Sequence, residues 1–109
     1  MAVVTIAERK AREVARLEAA GHAVVSELRA FAIAKGVRYS VFGSFARNDL
    51  VPTSDFDVLV QGPDNLQREA RAAAEAACER HGLRADVYLA AEASTALMMR
   101  IERDALVLP

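Results

Sequence analysis

Ser54-Asp55-Phe56-Asp57-Val58-Leu59-Val60 places two acids at the head of an apolar run, and the reading of the chain turns on it. Side chains of a strand alternate between its faces, so Asp55 and Asp57 point one way while Phe56, Val58 and Val60 point the other. One face is an apolar anchor and the other carries two adjacent carboxylates. Like charges that close repel unless a cation lies between them, and hard oxygen donors suit Mg²⁺. The competing reading is a strand start whose acids face solvent and pair with nearby arginines.

Upstream, Gly43-Ser44-Phe45-Ala46-Arg47 follows the strand-like run Val37 to Phe42 and opens a short helical turn. Without a Cβ, Gly43 lets backbone approach a bound group, and the free N–H groups of a helix start favour an anion. The Ser44 hydroxyl can cap that helix or donate to a phosphate oxygen. No Gly-Lys-Ser/Thr follows, so this is not a Walker loop. Arg47 is a candidate for contacting phosphate or a protein acceptor, with a surface pair to Asp49 as the alternative.

A third acid opens Asp86-Val87-Tyr88-Leu89, where Asp86 and Tyr88 share one face and Val87 and Leu89 the other. If that strand lies beside Asp55–Val60, three carboxylates converge at one end of a sheet. Three carboxylates around two divalent ions are what in-line nucleotidyl transfer needs.

The remaining pattern alternates helices and strands. Val14, Leu17, Val24, Leu28 and Phe31 recur at helical steps between about Ile6 and Lys35, with Gly21 in the same stripe. Because Gly weakens a helix interior, this segment reads as one kinked helix or two short ones, stopped at Gly36. The stripe is expected to pack on the sheet. Its spacing is also close to a heptad, so a partner helix or a second copy, as homodimer or hetero-oligomer, is an alternative user. Asn48 to Ser54, with Pro52, is a loop. Asp64 is predicted to cap a helix reaching His81, with Gln67 completing a capping-box-like pair and a small inner stripe of Leu66, Ala70, Ala73 and Ala77. Arg84 to Leu89 is a third strand. Ser94 or Thr95 caps a last helix to about Arg103, and Ala105 to Leu108 forms a short final strand. The expected fold class is α+β, of α/β-like order, with helices packed on a small mixed sheet.

The chain of 109 residues is expected to form a single domain, residues 1–109, with an N-terminal helical segment of about 6–35 and a core of about 37–108. Its formal net charge of −1 offers no basic footprint, so direct nucleic-acid binding is not expected. The lone Cys78 excludes an internal disulfide and a cysteine metal cage, and its Ala-rich surroundings suit a structural residue. No apolar stretch reaches membrane-spanning length, and the start, Met1 to Ile6, turns charged at Glu8-Arg9-Lys10, unlike a secretory leader. A cytoplasmic protein without membrane partners is expected. His22 and His81 lack ligand spacing, His81 suiting a helix C-terminus, and Met98 and Met99 read as core filler and its neighbour.

Taken together, Gly43-Ser44-Phe45-Ala46-Arg47 and Ser54–Val60 resemble the signature of the minimal nucleotidyltransferase domain of the DNA polymerase β-like superfamily. The resemblance covers nearly the whole chain, including Asp86 and the closing Ile101–Leu108 segment. It implies the polymerase β-like fold, Gly43 and Ser44 as the triphosphate-binding pair, Asp55 and Asp57 as Mg²⁺ ligands, and Asp86 completing the metal site and helping to activate the nucleophile. Two positions depart from the family pattern. Asn48 replaces the usual Gly, a swap that a left-handed backbone tolerates. Phe56 stands for the usual Ile between the acids.

Members this short resemble the antitoxin half of HEPN/minimal-nucleotidyltransferase pairs. That resemblance implies transfer of AMP from ATP to a tyrosine of the HEPN RNase toxin. The alternative is a non-catalytic antitoxin that neutralises its partner by covering its surface. Modification of an antibiotic-like small molecule is a third, weaker expectation, since no acceptor-binding domain is apparent.

Overall fold

The computed structural model describes residues 3–109; Met1 and Ala2, the first residues of the leader reading and of the 1–109 domain assignment, lie outside them. The order is α1 (Ile6–Lys35), β1 (Arg38–Phe42), α2 (Ser44–Arg47), β2 (Phe56–Gln61), α3 (Asp64–Arg80), β3 (Ala85–Leu89), a 3₁₀ turn (Ala90–Glu92), α4 (Thr95–Asp104) and β4 (Leu106–Leu108). Four strands form one mixed sheet in the order β3-β2-β1-β4. β1 is antiparallel to both β2 and β4, whereas β2 and β3 run parallel, joined over the sheet by α3. This is the α+β arrangement expected from the sequence. Among the described residues no helix is long and apolar enough to cross a membrane.

α1 is a single helix of 30 residues, begun by the Thr5 hydroxyl accepting from the Glu8 amide and ended by Gly36 in the left-handed region at φ 74°. Of the two expected forms, one kinked helix or two short ones, the segment runs as one helix. A Cβ at Gly21 would lie 2.2 Å from the Phe45 ring, so the glycine is a seat for that ring rather than a break. Its propensity cost of about 1 kcal/mol is offset by the aromatic packing it admits. Burial along α1 begins at Leu17 and continues through Gly21, Val24, Val25, Leu28 and Ala32.

The two sheet faces are covered unequally. Tyr39, Val41, Phe56, Val58 and Val60 enter one core with Leu17, Val24 and Leu28 of α1 and Ala70, Ala74, Ala77 and Cys78 of α3. Alanines on the inner face of α3 allow it to lie close, and the Tyr39 hydroxyl donates to the Ala70 carbonyl at 2.7 Å. Cys78 is fully buried, and that burial pushes its thiol up to about 11, which leaves it an inert core residue. Glu27 of α1 pairs with Arg80 and His81 at the end of α3, so His81 does sit at a helix C-terminus and also ties two helices together. The opposite face holds a smaller core of Phe42, Leu59 and Ile101 under α4, with Tyr88 and Met98 packed beside it.

The start of α3 differs from expectation. Pro63 is its capping residue, no side chain caps it, and Asp64 is already helical. Gln67 is buried and donates to the Gly62 carbonyl at 2.9 Å and to Asp64 Oδ1 at 3.5 Å, so the expected pair is in contact without capping the helix. A proline fixed at φ −56° sets the entry to the helix, so the carboxylate is not needed there.

Candidate nucleotidyl-transfer site

The exposed end of the less covered face carries the acids. Parallel pairing sets Asp57 of β2 against Asp86 of β3, and antiparallel pairing sets Phe42 of β1 against the same Asp57. Register partners share a face, and neighbouring strands lie about 4.8 Å apart, so the two carboxylates stand side by side. The sheet topology thus brings together acids 29 positions apart in sequence, from Asp57 to Asp86.

Gly43 closes the site from the β1 side. Its backbone has φ 78°, and a Cβ there would fall 2.1 Å from Asp57 Oδ2. Both facts require glycine: the conformation disfavours an L side chain, and the space is held by the carboxylate. α2 starts immediately after, its first N–H groups lacking intrahelical acceptors. No side chain caps it, so of the two roles expected for Ser44 the capping one is not used. The short helix is held by Phe45, whose ring packs on Phe56 at 5.2 Å and edge-on to His22 at 5.2 Å, over Gly21. Asn48 ends it in the left-handed region, φ 60° and ψ 39°, the conformation that its place in the sequence suggested. Arg47 pairs with Asp49 at 3.2 Å, the surface alternative of its two readings.

Asp55 behaves differently from the other two acids. It precedes β2, is half exposed, and meets Arg84 at 3.2 Å, while Arg84 also donates to the Thr53 carbonyl. The parallel register that sets Phe56 against Ala85 also brings Asp55 beside Arg84. Among the described residues no three His, Cys, Asp or Glu side chains form a group able to hold a metal ion. The register sets Asp57 beside Asp86, while the Asp55 carboxylate is engaged by Arg84. Asp55 stands within electrostatic reach of Asp57 and is paired with Arg84.

The charge balance is unfavourable to Asp57 as an isolated anion. Burial first, then the carboxylates of Asp86 and Asp55, push its pKa up to about 6, against the opposing pull of Arg47 and Arg100. Such a donor set fits a hard divalent cation, which would relieve the repulsion that raises the pKa. Asp57 and Asp86 would hold it, with Asp55 as a third ligand once released from Arg84.

Sequence reasoning missed Arg84, Arg100 and the partner of Tyr88. The Tyr88 hydroxyl donates to Asp86 Oδ2 at 2.8 Å, and this bond chiefly raises the phenol's pKa. The shared face of Asp86 and Tyr88 was a signal for that contact. Nothing local to the sequence signalled Arg100, whose charge acts on Asp57 from α4.

No curated protein matches the chain. A family model described as the nucleotidyltransferase domain matches residues 24–107, which takes in Gly43, Ser44 and all three acids. With the match spanning most of the sequence, the chain belongs to the nucleotidyltransferase domain family.

Proposed function

We propose that this nucleotidyltransferase is a Mg²⁺-dependent protein adenylyltransferase, which moves AMP from ATP to a tyrosine of a HEPN-type RNase toxin in the cytoplasm and so acts as its antitoxin. The observation that carries nucleotidyl transfer is the in-register pair of Asp57 and Asp86 beside Gly43. The acceptor is inferred from the resemblance of Gly43–Arg47 and Ser54–Val60 to the antitoxin group.

In this reading the open backbone at Gly43-Ser44 receives the triphosphate, whose oxygens accept from the N–H groups at the start of α2. Mg²⁺, when bound, supplies charge compensation at the α-phosphate and on the departing pyrophosphate. Asp86 accepts the proton of the attacking phenol as its oxygen bonds to the α-phosphorus. The bond from the α-phosphorus to the bridging oxygen breaks, and pyrophosphate leaves with that electron pair. Asp57 orients the reacting end, and Arg47 and Arg100 temper its charge.

Incubation with labelled ATP, Mg²⁺ and the candidate toxin tests the reading. Label on a toxin tyrosine with the parent protein, and none with Asp57→Asn, is the expected result. The second reading, a binding module that covers the toxin, is favoured by one observation: Asp55 is engaged with Arg84 rather than with the other acids. Neutralisation that persists in Asp57→Asn with no label on the toxin would establish that alternative and reject the enzyme.

A further inference from the structure

Asp86 has two carboxylate oxygens, and among the described residues only Oδ2 has a hydrogen-bond partner. Oδ2 accepts from the Tyr88 hydroxyl at 2.8 Å, on the same strand and the same face of the sheet. The Tyr88 ring is itself held, packing on Phe42 at 5.8 Å within the small core under α4. Phe42 is the register partner of Asp57, so the support for Tyr88 is built into the row of residues that carries the acids.

Two carboxylates on adjacent strands repel, and a half-buried aspartate with free rotation about χ1 turns away from its neighbour toward water. A hydroxyl anchored in a core opposes that rotation. We infer that Tyr88 is a positioning residue: it holds Asp86 Oδ2 through its hydroxyl, keeps the carboxylate beside Asp57 despite their repulsion, and leaves Oδ1 turned toward a divalent cation and the attacking hydroxyl. The inference rests on the nucleotidyl-transfer reading of the acids but adds a residue that the reading does not require. Tyr88 does not touch the nucleotide in this role and supplies no proton.

Tyr88→Phe keeps the ring and its packing on Phe42 and removes only the hydroxyl. The probe is Mn²⁺ alone, its binding followed by the loss of the free-ion electron paramagnetic resonance signal, with the melting temperature measured on the same samples. Hydrogen-bond partners of metal ligands commonly change metal affinity by 10- to 100-fold. Tyr88→Phe is therefore expected to weaken Mn²⁺ binding by about tenfold with little change in melting temperature. With ATP and the acceptor, kcat should fall by a similar factor at nearly constant KM for ATP. Mn²⁺ affinity equal to that of the parent, with or without a lower melting temperature, would reduce Tyr88 to a packing residue and overturn the inference. A parent protein that binds no Mn²⁺ at the acids would overturn both this inference and the metal-dependent reading beneath it, so the two failures are distinguishable.

Discussion

The two faces of the sheet are made from alternating residues of the same strands, yet they are built for different ends. Phe56, Val58 and Val60 meet a continuous core under α1 and α3. One step out of phase, Leu59 joins the small cluster of Phe42 and Ile101 under the shorter α4, and Asp57 lies against Gly43. The first face concentrates apolar burial, where truncation leaves cavities. The second leaves a row of acids beside a glycine and carries an electrostatic penalty in the raised pKa of Asp57. A fold can sustain that penalty when its stability is drawn from the other side.

Substitutions on the two faces should separate accordingly. The largest effect is expected for Asp57→Asn, which should reduce nucleotidyl transfer by about 1,000-fold, as expected when a charge-stabilising contact worth several kcal/mol is lost, while leaving the fold intact. Radiolabel transfer together with a melting curve checks both halves of that statement. Leu28→Ala, in the core of the α1–α3 face, should do the reverse. It should lower unfolding free energy by about 3 kcal/mol in denaturant titration and leave transfer per folded molecule unchanged. Comparable loss of both properties in either variant would erase the division between faces.

Gly43→Ala belongs to both sides of the comparison. The φ of 78° and the 2.1 Å approach to Asp57 Oδ2 make strain and displacement of the carboxylate unavoidable. A loss of about 2 kcal/mol in stability and at least about tenfold in transfer is expected, measured by the same two assays.

Gly21→Ala is a sharper case, since two effects oppose each other. Helix propensity favours Ala by about 1 kcal/mol, whereas its Cβ would enter the Phe45 ring, which Phe56 and His22 hold in place. Overpacking costs about 1–3 kcal/mol, so net destabilisation of about 1 kcal/mol is expected in denaturant titration. Net stabilisation would mean that Phe45 moves freely and does not anchor α2.

The smallest effect is a pH dependence. The folded-state pKa of Asp57, about 6, lies above the ordinary value of 3.8, so the folded state holds the proton more tightly than the unfolded one. The contribution of Asp57 to stability is neutral below about pH 4, becomes unfavourable as pH rises toward 6, and stays so above it. Screening at this half-exposed site limits the cost to about 1 kcal/mol. Asp57→Asn should therefore be more stable than the parent at pH 7.5 and equal to it near pH 4. Mg²⁺ should raise the melting temperature of the parent alone at pH 7.5.

Much of this was legible in residue order because periodicity carries burial. The three- and four-step stripe of α1 and the alternation in Asp55–Val60 read as elements that the structure contains. Pairing of β2 with β3 was only conditional in the sequence, yet it is what puts Asp86 beside Asp57. What the sequence could not show depended on contacts between distant segments. Gly21 looked like a breaker until Phe45 was seen to occupy its space. Asp55 looked equivalent to Asp57, but one residue of position put it outside the strand and beside Arg84. Asp64 looked like a cap, but Pro63 already fixed the turn.

A crystal of the protein with Mn²⁺ and a non-hydrolysable ATP analogue tests the site most directly, through the anomalous signal of the ion. An ion within about 2.1 Å of oxygens from both Asp57 and Asp86, with the triphosphate against Gly43-Ser44 and Asp55 turned away from Arg84, is the expected result. A triphosphate bound elsewhere, or an ion that ignores the Asp57–Asp86 pair, would contradict it.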